Sequence, residues 1–265
     1  MRPIAPVVVL VLVYAAALVH WRGVPAAPYG AVPTERVAAG LAGLAALALA
    51  LGPPLDGWAT GDLAAHMVQH VLLLSVVPPL LLLGRVPAVV AAALPLGRRM
   101  SRDRPAGSGL ARPMPAVALT ALAIAAQTVA VGLWHVPRCY DAAVGNDAIH
   151  AAEHLTFLGA GCFFWWTLMR LNAQLGSPAA LVALFAASLP ATLLGALMTL
   201  STTPWYPRYT TGTVADAAAR QQLAGVVMWA VGGMVTVVGA VALFGAWLAT
   251  MDRATRARLD WEPTP

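Results

Sequence analysis

The sequence predicts an all-α fold: a single polytopic membrane bundle of seven transmembrane helices. Three observations predict it. Of the 265 residues, 60% are hydrophobic and 10% charged, whereas a soluble domain is about half apolar and a quarter charged. Too little polar surface remains to cover a water-facing sphere. Apolar stretches of roughly the 20 residues that cross a bilayer recur seven times, at 4–19, 37–55, 63–83, 115–135, 149–171, 178–203 and 221–250. Short Pro/Gly-rich turns separate the first of them, at 23–33 and 52–57. The high apolar content excludes disorder, and two cysteines exclude a disulfide scaffold.

Taken in order, the first stretch follows one basic residue, Arg2. It reads as a retained anchor or as a signal sequence with Pro25-Ala26-Ala27 as its small-residue site; the remaining topology is the same either way. The third carries Pro78-Pro79 and the sixth Pro190, which kink helices and are tolerated where neighbours satisfy the freed backbone groups. The seventh is longer than a span requires. No repeat or low-complexity linker divides the chain. Residues 1–265 therefore read as one domain, with 96–113 a basic cytoplasmic loop and 252–265 a cytoplasmic tail.

Every basic residue is arginine, and the net charge is +5. Four arginines (Arg2, Arg138, Arg208, Arg220) fall on the side of the N-terminus. Twelve fall on the other: Arg22, Arg36, Arg85, Arg98, Arg99, Arg102, Arg104, Arg112, Arg170, Arg253, Arg256 and Arg258. The positive-inside rule puts the twelve in the cytoplasm, hence the N-terminus outside and the C-terminus inside. The positive charge is a topology signal, not a nucleic-acid surface, and the partner it implies is the lipid bilayer.

Five of the six histidines share the outer side. His66 and His70 begin the third span, His135 ends the fourth, and His150 and His154 begin the fifth, while His20 lies at the opposite end of the first. Both pairs have i,i+4 spacing, which puts two imidazoles on one helix face, about one turn apart, a turn being about 5.4 Å along the axis. Each pair can present ring nitrogens to one metal ion or to two adjacent ions. Glu153 lies about 100° around the helix from His154, which suggests a supporting or pathway group rather than a third ligand. Ionisable groups at membrane depth are costly and mark function, although one interfacial histidine, such as His135 beside Trp134, is also an ordinary headgroup hydrogen bonder.

His-rich sites suit zinc, copper, iron or nickel, and thioethers favour Cu(I). Met198 and Met228 lie at matching depth on the last two spans and Met67 adjoins His66, which tips the expectation to copper in the Cu(I) state. Cys139 reads as a spare thiol or a soft ligand, and Cys162 as packing. A rival pattern is His150-Ala-Ala-Glu-His154, the H-x-x-E-H of inverted zinc proteases, in which two histidines hold zinc and the glutamate activates water. It would leave His66, His70 and His135 without a role. Bis-histidine haem fits an i,i+4 pair poorly. A third reading is a metal-free scaffold.

Longer motifs extend this picture. They are His66-Met-Val-Gln-His70 with Pro78-Pro79-Leu80 and Gly84, Trp134-His135-Val-Pro137 with Tyr140-Asp141, and His150-x-x-Glu153-His154 with Phe164-Trp165-Trp166. Further on come Gly195-Ala-Leu-Met198-Thr-Leu-Ser201-Thr-Thr-Pro204-x-Tyr206-Pro207 and Gln221-Gln222-Leu-Ala-Gly225-Val-Val-Met228-Trp229. In this order they resemble the CtaG family of seven-span assembly factors associated with the caa-type cytochrome c oxidase.

The resemblance spans about two thirds of the chain. It implies a multi-pass plasma-membrane protein, not an enzyme, that binds copper at its outer face and delivers it to cytochrome c oxidase subunits, supplied by a periplasmic copper donor. Its matching positions are His66, His70, His135, His150, His154, Met198 and Met228. Two departures stand out: Arg220 precedes the Gln pair where the family pattern is acidic, and Cys139 has no counterpart. Imidazoles must be neutral to bind metal, so affinity is expected to fall below about pH 6.5.

Overall fold

The computed structural model describes residues 5–22, 33–93, 114–210 and 212–259. The loop 96–113, the site 25–27 and residues 260–265 of the tail lie outside them. Of His20 only the backbone is described. Among the described residues every regular element is helical and there is no strand. In chain order the helices are α1 (Ala5–Arg22), α2 (Thr34–Leu51), α3 (Leu55–Ala59), α4 (Leu63–Val71), α5 (Val77–Leu83) and α6 (Val86–Ala93). They continue as α7 (Ala116–Trp134), α8 (Pro137–Gly145), α9 (Asp147–Leu175), α10 (Ser177–Leu200), α11 (Val214–Val226) and α12 (Gly232–Leu259). π-Helical turns at Leu72–Val76 and Val227–Val231 join α4 to α5 and α11 to α12.

Five helical stretches are long and apolar enough to cross a membrane: Thr34–Ala59, Leu63–Leu83, Ala116–Trp134, Ser177–Leu200 and Val214–Arg256. The two further stretches counted from sequence are α1 and α9, and neither is among the five. α9 has ample length, 29 residues, but His150, Glu153, His154, Arg170 and Asn172 lower its hydropathy. The helix richest in site residues is thus the one that least resembles a span. The last helical stretch begins earlier than its apolar run, because Thr213 and Asp216 form a reciprocal capping box that starts α11 at Val214.

The exterior is apolar. Val129, Leu155, Val182, Phe185, Leu197, Val238 and Phe244 are all exposed, a belt that hydrocarbon and not water would cover. α9 runs through the middle of the bundle and packs on α5, α7, α10 and the first π turn. That turn has a local cause. Pro78 lacks an N–H and its ring crowds the carbonyl of Leu74, four residues back, so the regular ladder cannot continue. Gly161 of α9 lies against this carbonyl: a Cβ there would stand 2.4 Å from Leu74 O and 2.8 Å from Pro78 Cγ. Only glycine lets the two helices approach so closely. A similar contact joins α10 to α11, where a Cβ on Gly225 would lie 2.6 Å from Gly195 O. α10 runs on through Pro190 as one helix.

Candidate metal centre

The two histidine pairs are placed by two matching helix starts. Asp62 caps α4, its carboxylate accepting from Ala65 N–H at 2.7 Å. Asn146 caps α9, accepting from Ala148 N–H at 2.9 Å and Ile149 N–H at 3.2 Å. Such caps satisfy the orphan donors of a first turn and fix where the helix begins. His66 and His70 are then the fourth and eighth residues of α4, and His150 and His154 the fourth and eighth of α9. The faces oppose each other: ring centroids are 5.2 Å apart for His66 and His150, 6.4 Å for His66 and His154, and 6.1 Å for His70 and His154.

His135 joins them from the end of α7, 5.7 Å from His70. It is buried within the bundle and packs edge-on toward Phe157. Its Nδ1 lies 2.8 Å from Val131 O. A carbonyl can only accept, so Nδ1 carries the proton and Nε2 presents its lone pair.

Glu153 occupies the centre. Its Oε2 lies 3.5 Å from His66 Nε2 and 3.9 Å from His150 Nε2, and its Oε1 lies 3.4 Å from His70 Nε2. Measured from His154, its immediate neighbour, Glu153 lies about 100° to one side. Measured from His150, an i,i+3 neighbour only about 60° around the helix, the carboxylate falls on the shared face. That spacing was the available signal. His66, His150, Glu153 and His154 offer ligand atoms that all lie within 4.8 Å of one another. None of the five histidines or Glu153 is more than 8% exposed.

The donor chemistry suits a metal. His66 Nδ1, His70 Nδ1, His135 Nε2 and His154 Nε2 are buried without hydrogen-bond partners among the described residues, although buried polar groups are ordinarily satisfied. A carboxylate inside an apolar bundle likewise requires a counter-charge. Both helix N-termini favour the anion and the α7 C-terminus favours a cation, so the backbone fields agree with an ion bound between them.

Aromatic side chains close the cluster. Tyr140 of α8 lies on His66 at 4.9 Å and on Tyr206 at 4.4 Å. Tyr206 donates to His135 O at 3.2 Å, and Tyr209 donates to Ala59 O at 2.9 Å. Burial raises all three phenols above their ordinary range, Tyr209 to about 12, so they stay neutral donors. Gln221 holds the segment carrying Tyr206, accepting from Trp205 N–H at 2.6 Å and donating to Thr203 O at 3.1 Å. Tyr140, Tyr206 and Gln221 stand out in the sequence only as motif members, and Tyr209 not at all, because nothing local in the chain shows what they touch. α8 itself was not foreseen; Pro137 opens it at a position where its missing N–H costs nothing.

The predicted methionines sit in the same apolar core as Phe157, Tyr140 and Tyr206. Met198 and Met228 are buried, but no described contact joins either to an imidazole. Met228 lines a small cavity with Leu74, Gln127 and Phe164. Cys139 and Cys162 are half-buried free thiols, without a described contact to the imidazoles.

Among the described residues, an all-helical architecture with five helices long and apolar enough to cross a membrane and a buried histidine–carboxylate cluster defines a membrane-protein fold organised around an internal polar centre. The chain belongs to the cytochrome c oxidase caa3 assembly factor family (Caa3_CtaG), whose model matches residues 12–250. No curated protein and no solved structure matches it.

Proposed function

We propose that this assembly factor is a non-catalytic copper carrier of the plasma membrane, with seven spans, the N-terminus outside and the C-terminus cytoplasmic. It takes copper, as cargo, at its outward end and passes it to a cytochrome c oxidase subunit after loading from a periplasmic donor. The observation that carries this reading is the convergence of His66, His150, His154 and Glu153, with donor atoms within 4.8 Å of one another. His70 and His135 supply further imidazoles, and Met198 and Met228 are soft groups for an ion in transit.

Charge supports Cu(I). Neutral imidazoles with one carboxylate carry a charge of −1, which one monovalent ion cancels and a divalent ion overshoots in a medium where unpaired charge is expensive. The zinc hydrolase reading is less well supported: Glu153 lies among four buried imidazoles, and a polypeptide substrate would have to reach groups at most 8% exposed.

The test is anaerobic Cu(I) binding to the purified protein, alongside oxidase maturation in cells. A His66/His70/His150/His154 to Ala variant that inserts normally should bind no copper tightly and leave the oxidase immature. Unchanged copper binding by that variant would refute the assignment.

A further inference from the structure

We propose that the cluster holds two monovalent ions side by side, bridged by Glu153. This inference rests on the copper reading above and adds the number of ions and the ligands of each. The two carboxylate oxygens face different imidazoles. Oε2 faces His66 at 3.5 Å and His150 at 3.9 Å, while Oε1 faces His70 at 3.4 Å. A carboxylate whose oxygens diverge toward separate donor sets bridges two metals rather than chelating one.

The donor count agrees. Five imidazoles and a carboxylate exceed the four positions of a tetrahedral site, in which ligands at about 2.0–2.1 Å from the ion lie roughly 3.4 Å apart. His66, His150, His154 and Oε2 approach such a site, and their present spread of 4.8 Å contracts on closure around an ion. His70 and His135 are then left over. Both are buried, with His70 Nδ1 and His135 Nε2 lacking hydrogen-bond partners among the described residues. The bond from His135 to Val131 O commits the remaining His135 nitrogen to be a lone-pair donor. The rings of His70 and His135 lie 5.7 Å apart, and Phe157 packs against both. Oε1, His70 and His135 therefore form a three-donor site on the other side of the carboxylate.

A three-donor site suits a monovalent d10 ion, which accepts low coordination numbers. Between pairs of ions, charge favours the monovalent one: two monovalent ions on one carboxylate leave +1 in the buried cluster, the surplus that a single divalent ion would leave, and two divalent ions leave +3.

The test counts ions. Full-length protein in detergent is titrated anaerobically with Cu(I) against a competing chelator, and bound metal is read by native mass spectrometry. The wild type should carry two ions. His135→Ala and, separately, His70→Ala should carry one, with the affinity of the retained ion changed less than tenfold. His150→Ala should weaken the other ion. Thermal unfolding and helical circular dichroism identify any variant that fails to fold, and the wild-type count stands whether or not the variants fold. One ion in the wild type overturns the pair and leaves the copper carrier standing. No ion overturns both. Two ions in the wild type and still two in both His135→Ala and His70→Ala overturn the location of the second site.

Discussion

Gly161→Ala should loosen the whole centre from a distance, because this glycine sets how closely α9 approaches the helix that carries the opposing histidines. The added Cβ would meet Leu74 O at 2.4 Å, Pro78 Cγ at 2.8 Å and Leu74 C at 3.1 Å. None of these is the end of a flexible side chain, so relief requires the helices to part by about 1 Å in a close-packed interior. Overpacking of this kind costs about 1–3 kcal/mol, offset by the roughly 1 kcal/mol that alanine gains over glycine in a helix. The net is a loss of up to about 2 kcal/mol, or up to about 8 °C in Tm for a chain of this size. The parting also draws His66 and His70 away from His150 and His154, which should weaken Cu(I) binding about 10–100-fold, the usual effect of disturbing the support of a metal site. Two residues away, a Cβ added to Gly159 would meet nothing within 4 Å, so Gly159→Ala is the matched control and should be neutral or slightly stabilising. Thermal unfolding in detergent and chelator competition read both effects. If Gly161→Ala matched Gly159→Ala in both measurements, the close approach would not be what holds the site together.

Glu153→Gln keeps the shape and removes the charge; Cu(I) affinity should fall at least about tenfold while helical content stays unchanged, and retained affinity in a chelator titration would remove the carboxylate from the site. Gln221→Leu leaves Trp205 N–H and Thr203 O without their buried partners and should cost about 1–3 kcal/mol, read as a lower Tm, whereas Gln221→Glu, which still accepts from Trp205, should lose less. Asp62→Ala removes the α4 cap and should destabilise by about 1 kcal/mol; the loss should be visible as faster amide exchange over 63–66, and equal exchange would count against it. Tyr206→Phe removes one bond to His135 O and should cost about 0.5–1.5 kcal/mol without changing the number of ions bound, so a lost ion would make the phenol a ligand.

What the sequence made legible was the part that depends on local periodicity. The i,i+4 spacing of His66/His70 and His150/His154 placed each pair on one face, and the apolar runs placed both pairs at helix starts. The opposition of those faces depends on the Gly161–Leu74 contact, which brings together residues 87 apart in sequence, and no periodicity encodes it. Glu153 was misjudged because the angle was taken from only one of its two histidine neighbours. α9 reads poorly as a span for the reason that makes it informative: the site residues replace apolar ones. The Tyr140–Tyr206–His135 wall was hidden because its members come from α7, α8 and the connection after α10, and pairing of this kind is decided by tertiary packing.

If the protein carries copper as proposed, it must also release it, and the chemistry of the centre bears on how. With the centre empty of metal, the buried Glu153 carboxylate among neutral imidazoles requires one proton for charge balance, since an unpaired anion at 0% exposure is too costly to persist. With one Cu(I) bound, the metal supplies that charge and the proton is displaced. Loading and unloading the first ion is then an exchange of one monovalent cation for another, and neither state leaves net charge buried. A divalent ion would have no such symmetric exchange, since it would leave a net charge of +1 buried. Six donors around a site that needs fewer also let ligands be handed over one at a time, His135 and His70 being the pair not engaged with Oε2. On the copper-carrier reading, the histidines beyond what one ion can use are therefore not redundancy: they hold the second ion and, when it is absent, would offer the first an intermediate coordination on its way out.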